Sequence, residues 1–482
     1  MDAIRVFRRT ARRHADATFA FDVRSSVTYA QADRRSDEIA AELANAGLMP
    51  GDTVGLSSPD SVEQLIAILA TWKAGLVPGL VDARIAVGDL PYFVDDVGAK
   101  LVLAVPELHE GLRAAGAAEV ADIATFGSGK DVRAGVSEHG PEAPLYLSYT
   151  SGTTGSPKGA ILLSGPVTIG TACIADRLGL TRDDVLLATT PTASSFQLVA
   201  ALLPAIHVGA SVGLVAGRPI EEIWSVTADR RATVLVAYPL TLADMVNAPA
   251  ASGSHPLRIA LSGGSPLAPR IKRDYRGRLR IPLLESYGQS ELGGFMALGS
   301  RDDGERAHAG FVGRSLPDRP AFVADSDGVE LDAGEVGEVV VPWGYFDHYR
   351  NKPEKTAQTL AGGILHCGDL GVADEDGYLR VLGRTNEAVA AERRGGFLRQ
   401  LEDAFYEHPD VLHAAVVERE SDGAVVAFAE RRPGGTATVD EIASGAAAEV
   451  PEGLHPAAAT LLETMPRTFS GKANRMQLSH EA

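Results

Sequence analysis

The chain has 482 residues, more than one hydrophobic core usually organises, so two or more domains are expected. Hydrophobic residues make up 45% of it and charged residues 22%, a composition that can bury such cores. Its 45 basic and 63 acidic residues give a formal net charge of −18, which disfavours DNA or RNA as a partner of the surface as a whole. A small anionic ligand therefore needs a local site rich in cations or backbone N–H groups.

Cysteine usage and the chain start predict the compartment. Only Cys173 and Cys367 are present, too far apart in sequence for a metal motif, and this usage fits a reducing compartment. The arginine-rich stretch 3–13 lacks the apolar region of a signal peptide and predicts a surface helix. Segment 185–217 carries no charged residue, but prolines and polar residues interrupt it. A buried strand, helix and strand is predicted there, with no membrane span and a cytoplasmic location.

Alternating patterns predict the fold class. Apolar runs rich in β-branched residues alternate with helical patterns, as at 53–56, 62–74, 100–104, 184–188, 198–206 and 212–215. Such alternation is typical of β-α-β units with parallel sheets. The predicted fold class is α/β, with a large N-terminal domain of stacked α/β sheets.

The C-terminal part of the chain follows other patterns. Short strands and turns from about residue 310 predict a β-rich subdomain over about 310–384. The turn at 383–386 is the best boundary candidate, because a helix, two strands and another helical stretch follow it as a compact α+β unit. The predicted domains are therefore 1–384 and 385–482.

Residues 149–159, with the sequence YTSGTTGSPKG, form a loop suited to a polyphosphate. Gly152 and Gly155 allow close approach of the backbone, and Lys158 supplies a positive charge. Hydroxyl donors come from Thr150, Ser151, Thr153 and Thr154. The loop follows a short apolar strand, where free N–H groups face an anion, but its spacing is not that of a Walker A loop. The competing interpretation is a flexible Ser/Thr/Gly linker.

The loop resembles the phosphate loop of the adenylate-forming superfamily, which contains acyl-CoA synthetases, carrier-protein adenylation domains and luciferases. Further motifs similar to those of this superfamily follow in the expected order along nearly the whole chain. They are LSGGSPL at 261–267, YGQSE at 287–291, GDLG at 368–371, GRTN at 383–386 and PRTFSGKANR at 466–475.

The resemblance implies how the nucleotide is held. Tyr287 would stack on adenine, Asp369 would accept hydrogen bonds from the ribose hydroxyls, and Arg384 would contact ribose and phosphate. Around the adenine and the phosphates it further implies roles for Gly264, Ser265, Pro266, Gly288 and Lys158, together with the glycines and hydroxyls of the phosphate loop. The implied cofactors are ATP and Mg²⁺.

The resemblance also implies the catalytic groups. Ser290 would touch the α-phosphate, and Glu291 would hold Mg²⁺, since a carboxylate beside a triphosphate otherwise only repels it. Lys472 would be the mobile catalytic lysine, brought in by a small mobile C-terminal domain, and Lys158 would support the leaving phosphates. Asn386 occupies the hinge position, where the superfamily usually has an aspartate.

The acyl pocket departs from the superfamily pattern. The resemblance places Ser194, Phe196, Gln197, Gly263 and Gln289 there. Ser194 replaces the usual histidine and Gln197 the usual glycine of P-x-F-H-x-x-G. No aspartate stands there to pair with an α-amino group, so an amino acid substrate is disfavoured. Gln197 shortens the pocket, binds a polar acid, or only packs its helix, and the sequence leaves these alternatives open.

The segment after the hinge departs further. Ala390 replaces a lysine, and the glycines of the pantetheine tunnel are displaced to Gly395 and Gly396. Arg393 and Arg394 bind CoA phosphates, bind an acidic carrier protein, or are simply solvated. These changes concern the second half-reaction more than adenylation.

The leading hypothesis is an acid–thiol ligase. ATP and a carboxylic acid give acyl-AMP and pyrophosphate, and a thiol, expected to be CoA, then takes the acyl group. One alternative delivers the acyl group to carrier-protein phosphopantetheine or to an amine. A second alternative is a non-catalytic nucleotide-binding interaction protein, against which the joint retention of Glu291, Asp369, Arg384 and Lys472 argues.

Overall fold

The computed structural model describes residues 2–128, 140–149, 157–304, 306, 309–342, 344–468 and 470–482. Its α-helices are α1 Ala3–Arg13, α2 Tyr29–Asn45, α3 Val62–Lys73, α4 Leu90–Val97, α5 His109–Ala114, α6 Ser164–Arg177, α7 Ser195–Gln197, α8 Leu203–Val208, α9 Ile220–Asp229, α10 Pro239–Asn247, α11 Pro269–Asp274, α12 Pro353–Thr359, α13 Ala388–Arg394, α14 Leu398–Glu407, α15 Val439–Ala447 and α16 Arg475–Glu481.

The strands, in chain order, are β1 Thr18–Phe21, β2 Ser26–Thr28, β3 Thr53–Ser57, β4 Val77–Leu80, β5 Leu101–Ala104, β6 Val120–Asp122, β7 Pro144–Tyr149, β8 Gly159–Leu163, β9 Val185–Ala188, β10 Ser211–Leu214, β11 Val234–Ala237, β12 Ile259–Ser262, β13 Leu283–Gln289, β14 Gly294–Leu298, β15 Gly313–Ser315, β16 Phe322–Ala324, β17 Val336–Pro342, β18 Phe346–Tyr349, β19 Ile364–Ala373, β20 Tyr378–Arg384, β21 Val411–Glu418, β22 Val425–Arg431 and β23 Ala458–Leu462.

The largest sheet has thirteen strands in the order β16-β17-β19-β20-β15-β14-β13-β12-β11-β9-β10-β1-β2. Strands β1, β10, β9, β11, β12 and β13 run parallel. From β13 onward the pairing becomes antiparallel, through β14, β15, β20 and β19. The predicted α/β pattern at 184–215 and the later short strands therefore belong to one continuous sheet.

The second sheet has seven strands in the order β18-β8-β7-β4-β3-β5-β6. Its centre is parallel, and β8 and β18 close one edge in antiparallel pairs. Strand β18 comes from the β-rich part of the chain, so that part contributes to both large sheets. This pairing brings residues near 349 next to the end of the phosphate loop, since Tyr349 pairs with Ala160.

One continuous apolar core joins the two sheets through the helices between them. Phe7 of α1, Leu65 of α3 and Ile206 of α8 belong to it, together with Leu56 and Leu186 from the two sheets. Parallel strands covered on both faces read as continuous apolar runs, which explains the charge-free segment 185–217. That segment forms β9, a helical stretch and β10, as predicted. Helix α1 forms as predicted too, with one face buried, Arg5, Arg9, Arg12 and Arg13 exposed, and Arg8 half-buried in an ion pair with Asp37.

None of the helices within the described ranges combines the length and the apolar character needed to cross a lipid bilayer.

A three-stranded sheet, β21-β22-β23, organises the C-terminal part of the chain. It packs on the large sheet's helices: α10 contacts β21, and Leu240 joins the apolar cluster of Ala415, Val417 and Phe428. Asp244 of α10 fixes this contact electrostatically, accepting hydrogen bonds from the His413 ring at 2.7 Å and from Arg467 at 2.7 Å. The segment that carries Lys472 is thereby tied to the helix that follows β11.

Candidate active site

Carboxyl ends of parallel strands build the candidate site. Strands β9, β11, β12 and β13 end at one edge of the large sheet, the usual position of ligands in such sheets. Tyr238 follows β11, Gly263 follows β12, and Tyr287 lies near the end of β13. Residues from five distant motifs of the sequence meet at this edge.

Asp369 is the centre of the predicted ribose corner. It is buried, and its Oδ2 accepts hydrogen bonds from the Tyr287 hydroxyl at 2.6 Å and the Gln289 amide at 3.0 Å. Its Oδ1 lies 3.2 Å from Nε of Arg384. A carboxylate accepts at about four positions, so at least one remains for a ribose hydroxyl. Burial raises the pKa of Tyr287 well above its ordinary value, which keeps its hydroxyl a donor.

Glu291 lies buried on the other side, beside Lys158. The Tyr349 hydroxyl donates a hydrogen bond to Glu291, and Nζ of Lys158 lies 5.0 Å from the centroid of the Tyr349 ring. Burial lowers the pKa of Lys158, and the charge of Glu291 opposes that shift. Tyr349 thus joins the predicted phosphate-binding lysine to the predicted metal ligand.

Lys472 reaches this edge from the C-terminal part of the chain. Its Nζ lies 5.0 Å from the centroid of the Tyr238 ring, and a Cβ at Gly264 would lie 3.3 Å from it. The preceding Gly471 has φ of +96°, a turn conformation that glycine adopts without strain. Burial and, to a smaller extent, the charge of Arg384 lower the pKa of Lys472 to about 8.

The predicted adenine loop lies beside Lys472. Gly264 has φ of +72°, and a Cβ there would lie 2.8 Å from Cε1 of Tyr238. Ser265 is partly exposed and Pro266 exposed, so this loop has an open face. A Cβ at Gly288 would lie 2.3 Å from the carbonyl oxygen of Gly294, so glycine is required for that strand pairing.

Aromatic rings dominate the predicted acyl side. Phe196 stacks on Tyr238 with centroids 5.5 Å apart, and Phe295 lies 5.6 Å from Phe196. The Ser194 hydroxyl lies 2.7 Å from that of Tyr238. A Cβ at Gly263 would lie 2.4 Å from the Phe196 ring, so the glycine leaves that ring its space.

Three further polar residues belong to the predicted nucleotide and acyl parts of the site. The Ser290 hydroxyl lies 3.2 Å from that of Ser195, which ties the YGQSE motif to the start of α7. Gln289, predicted in the acyl pocket, donates instead to Asp369 and to the Cys367 carbonyl oxygen at the ribose corner. Gln197 is fully buried, and neither polar atom of its amide has a hydrogen-bond partner within the described part of the chain.

The core of the predicted phosphate loop lies outside the described residues. This concerns Thr150, Ser151, Gly152, Thr153, Thr154 and Gly155. The described flanks are Tyr149, whose hydroxyl donates to Asp96 at 2.9 Å, and Lys158. Burial strongly raises the pKa of Tyr149, so it stays a donor.

The hinge segment has ordinary backbone geometry. Asn386 is exposed in a short 3₁₀ turn and is not among the residues of positive φ. Helix α13 follows and ends at Gly395, whose φ is +72°. Arg394 pairs with Glu418, whereas Arg393 is exposed.

Tyr238 and Tyr349 were not singled out in the sequence. Tyr238 directly follows a strand of the parallel sheet, so it lies at the edge where such sheets usually bind ligands. Its position after a predicted strand is a sequence signal that could have identified it. Tyr349 enters through the pairing of β18 with β8, which no local pattern indicates.

One cavity of about 580 Å³ lies away from these residues. It is lined by α1, the loop before β9 and the end of α8, including Arg9, Arg13, Arg182 and His207. Those elements flank the amino end of β9, so the cavity lies at the opposite edge from the candidate site.

Within the described ranges, no cluster of three or more His, Cys, Asp or Glu side chains could hold a metal ion. Glu291 is a buried carboxylate that lies close enough to Lys158, beside the predicted polyphosphate site, to act on its pKa. Mg²⁺ commonly binds through one or two carboxylates together with substrate phosphates. The donor set fits such a shared ion.

Comparisons with known proteins place this site in a family. The AMP-binding enzyme family model matches residues 7–342, and that of the AMP-binding enzyme C-terminal domain matches residues 400–472. The chain is 28% identical over 457 residues to a sulfoacetate–CoA ligase of Cupriavidus necator, covering 91% of this chain and 89% of that protein. It is 27% identical over 481 residues to the fatty acid–[acyl-carrier-protein] ligase ScoC of Streptomyces coeruleorubidus, covering 94% and 91%.

A crystal structure of a benzoate CoA ligase from Burkholderia xenovorans LB400 shares the fold, with a TM-score of 0.90, 21% identity and coverage of 100% of each chain. These matches confirm the resemblance, the α/β fold class, and the expected adenylation of an acid followed by transfer to a thiol. The chain belongs to the AMP-binding enzyme family and is an AMP-forming acid–thiol ligase.

Proposed function

We propose that this ligase forms acyl-AMP at the edge where Lys472, Asp369 and Glu291 meet, and that CoA is the thiol acceptor. The observation that carries the proposal is the position of Lys472, which lies against Gly264 and the Tyr238 ring. This packing supports the proposed role of Lys472 in adenylation.

Lys472 acts on the barrier to adenylation. A carboxylate oxygen of the acid attacks the α-phosphorus of ATP, the bond to the bridging oxygen breaks, and pyrophosphate leaves. Two unit charges about 4 Å apart repel by roughly 4 kcal/mol at an effective dielectric near 20. A cation held between them lowers this barrier, provided that Lys472 is protonated.

The leaving group needs charge compensation on the other side. Lys158 and the phosphate loop are proposed to hold pyrophosphate. Mg²⁺ would be bound by Glu291 and phosphate oxygens, and would neutralise part of their charge. Tyr349 orients Glu291 by donating to one carboxylate oxygen, which leaves the other oxygen for the ion.

The nucleotide is positioned by groups that are already fixed. Asp369 is held by Tyr287, Gln289 and Arg384 before any ligand arrives. Preorganisation of this kind lowers the entropy cost of bringing the α-phosphate to the acid. The Tyr287 ring is proposed as the adenine platform.

The domain assignment supports the same mechanism. We propose domains 1–384 and 385–482 with Asn386 as the hinge, because the contacts of Asp244 with His413 and Arg467 define one docked arrangement. In this arrangement Lys472 lies in the site, which suits adenylation. Both cysteines are free thiols, which agrees with the proposed cytoplasmic location.

Two thiol acceptors have support from the relatives of this chain. The sulfoacetate relative is named for CoA and ScoC for an acyl carrier protein. Since Arg394 is paired with Glu418, only Arg393 of the two arginines in α13 is exposed for an acceptor phosphate. CoA is the leading acceptor, and carrier phosphopantetheine is the alternative.

The test is pyrophosphate release with ATP and Mg²⁺ across aryl, short-chain, medium-chain and amino acids, with CoA, with holo-carrier protein, or with neither. We expect release with one class of acid and a thioester with CoA. A thioester formed only on the carrier protein would select the alternative acceptor. Absence of release with every acid would contradict the proposed function.

A further inference from the structure

Gln197 is one of several buried polar residues near the acyl side that lack a hydrogen-bond partner among the described residues, together with Thr190, Thr192 and Ser262, and it alone of these carries an amide. Its side chain is fully buried, and among the residues that the structure describes neither its amide nitrogen nor its amide oxygen has a hydrogen-bond partner. Leaving one buried hydrogen-bonding group unmet costs about 1–3 kcal/mol. Most buried polar groups are satisfied, so an unmet amide close to a proposed substrate pocket is a candidate for contact with the substrate.

The position of Gln197 connects this amide to the acyl side. It lies on the first helical turn after Ser194, and residues three apart on a helix are neighbours. The Ser194 hydroxyl lies 2.7 Å from that of Tyr238. The adjacent Phe196 stacks on the same Tyr238 ring, against which Lys472 lies. Gln197 is therefore next in sequence to Phe196, one ring of the aromatic pair that lines the proposed acyl pocket.

The chemistry of an amide limits the partner. It offers a donor and an acceptor together, both unmet here. An alkyl chain satisfies neither, a carboxylate or sulfonate satisfies only the donor and repels the carbonyl oxygen, and an ammonium group satisfies only the acceptor. A hydroxyl or a carboxamide satisfies both.

We propose that Gln197 forms a polar subsite that selects carboxylic acids bearing a neutral hydroxyl or carboxamide group over acids whose chain or ring is purely apolar. The inference rests on the proposed adenylation and names the substrate class at that site. It assigns specificity to the position where glycine is usual in the superfamily.

Gln64 provides a matched control. It is also buried with both amide atoms unpaired, but it lies on α3, which packs on α2, β3 and β4 rather than on the strands that carry the site. Gln197→Leu and Gln64→Leu each remove an unmet amide at nearly constant volume. Both variants are expected to fold and to unfold at temperatures no lower than that of the parent protein.

The experiment compares kcat/KM for pyrophosphate release within two acid pairs, 4-hydroxybutanoate with pentanoate and 4-hydroxybenzoate with 4-methylbenzoate. We expect the parent enzyme to favour the hydroxy acid by at least about tenfold in one pair. Gln197→Leu should lower that ratio by at least about tenfold, and Gln64→Leu should leave it unchanged.

Two results would overturn the inference while leaving adenylation intact. One is equal kcat/KM within both pairs for the parent enzyme, and the other is an unchanged ratio in Gln197→Leu; either means that the amide is met by ordered water. If none of these acids releases pyrophosphate, thermal shifts with the same pairs and a non-hydrolysable ATP analogue decide the subsite. Equal shifts in unfolding temperature within each pair reject the subsite. A larger shift with the hydroxy acid supports the subsite if Gln197→Leu abolishes that difference.

Discussion

The nucleotide side and the acyl side of this site differ in how their polar groups are satisfied. On the nucleotide side, Asp369 is held by three neighbours and Glu291 by Tyr349. On the acyl side, the Gln197 amide has no partner among the described residues. Under the proposed function, the nucleotide meets a prearranged network, whereas the acid meets an amide whose hydrogen bonds it must complete itself. The comparison separates what makes the enzyme adenylate from what selects the acid.

Removing Lys472 should have the largest effect of these changes, a loss in the rate of acyl-AMP formation. Lys472→Ala takes away the cation that offsets repulsion between the acid and the α-phosphate, and we expect a loss of about 10²–10³-fold or more in acyl-AMP formation. ATP binding should persist, and all acids should be affected alike. Hydroxamate trapping of acyl-AMP measures the rate, with Lys100→Ala, an exposed lysine paired with Asp52, as control. Unchanged adenylation would remove Lys472 from the mechanism.

Neutralising Asp369 should weaken ATP binding on the nucleotide side. Asp369→Asn weakens charge-assisted contacts to Arg384 and to ribose, and each such bond contributes about 1.5–3 kcal/mol. We expect KM for ATP to rise about 10- to 100-fold with unchanged preference among acids. The control is Asp347→Asn, an exposed carboxylate paired with His348. A change in acid preference would show that the two sides are not separable.

Filling the space at Gly263 should disturb the packing on the acyl side and impair use of the acid. A Cβ there would lie 2.4 Å from Cε2 of Phe196 and from Oγ of Ser286, so the Phe196 ring must move. Gly263→Ala should lower the free energy of unfolding by about 1–3 kcal/mol and reduce kcat/KM for the acid more than that for ATP. Gly445→Ala, in α15 with open space around it, should be neutral or slightly stabilising. Denaturant unfolding and steady-state kinetics measure both effects.

The pH dependence gives the smallest and most specific effect. Burial lowers the pKa of Lys472 to about 8, so its ammonium is lost as pH rises through that value. We therefore expect kcat/KM for adenylation, which reports the free enzyme, to fall above about pH 8. Arg384→Gln removes the smaller cause of the lowered pKa of Lys472. The pH at which kcat/KM falls should therefore rise by less than about one pH unit. An unchanged pH for that fall in Arg384→Gln, with Arg393→Gln as control, would contradict this assignment.

Much of the fold and site followed from local sequence. Alternating apolar runs predicted the parallel sheets, and the charge-free segment 185–217 was correctly predicted as a buried strand, helix and strand. Motif order predicted the family, which the matches confirm. These features depend on residue periodicity and on glycine or hydroxyl spacing, which a sequence displays directly.

Other features required distant segments to meet. The sequence predicted Gln289 in the acyl pocket, and the structure shows its amide donating a hydrogen bond to Asp369, eighty positions away in sequence. Tyr238 and Tyr349 joined the site only through strand order and the β18–β8 pairing. No local pattern shows whether a buried side chain finds a partner, so the sequence left Gln197 open.

The sequence by itself determined the family and the reaction class of this protein, because the motifs of the family follow one another in the expected order along the chain. Only the tertiary structure decided which groups satisfy one another. Hydrogen bonds such as that from Tyr287 to Asp369 join residues far apart in sequence and depend on sheet register. The same packing that completes the nucleotide side leaves the Gln197 amide unmet on the acyl side.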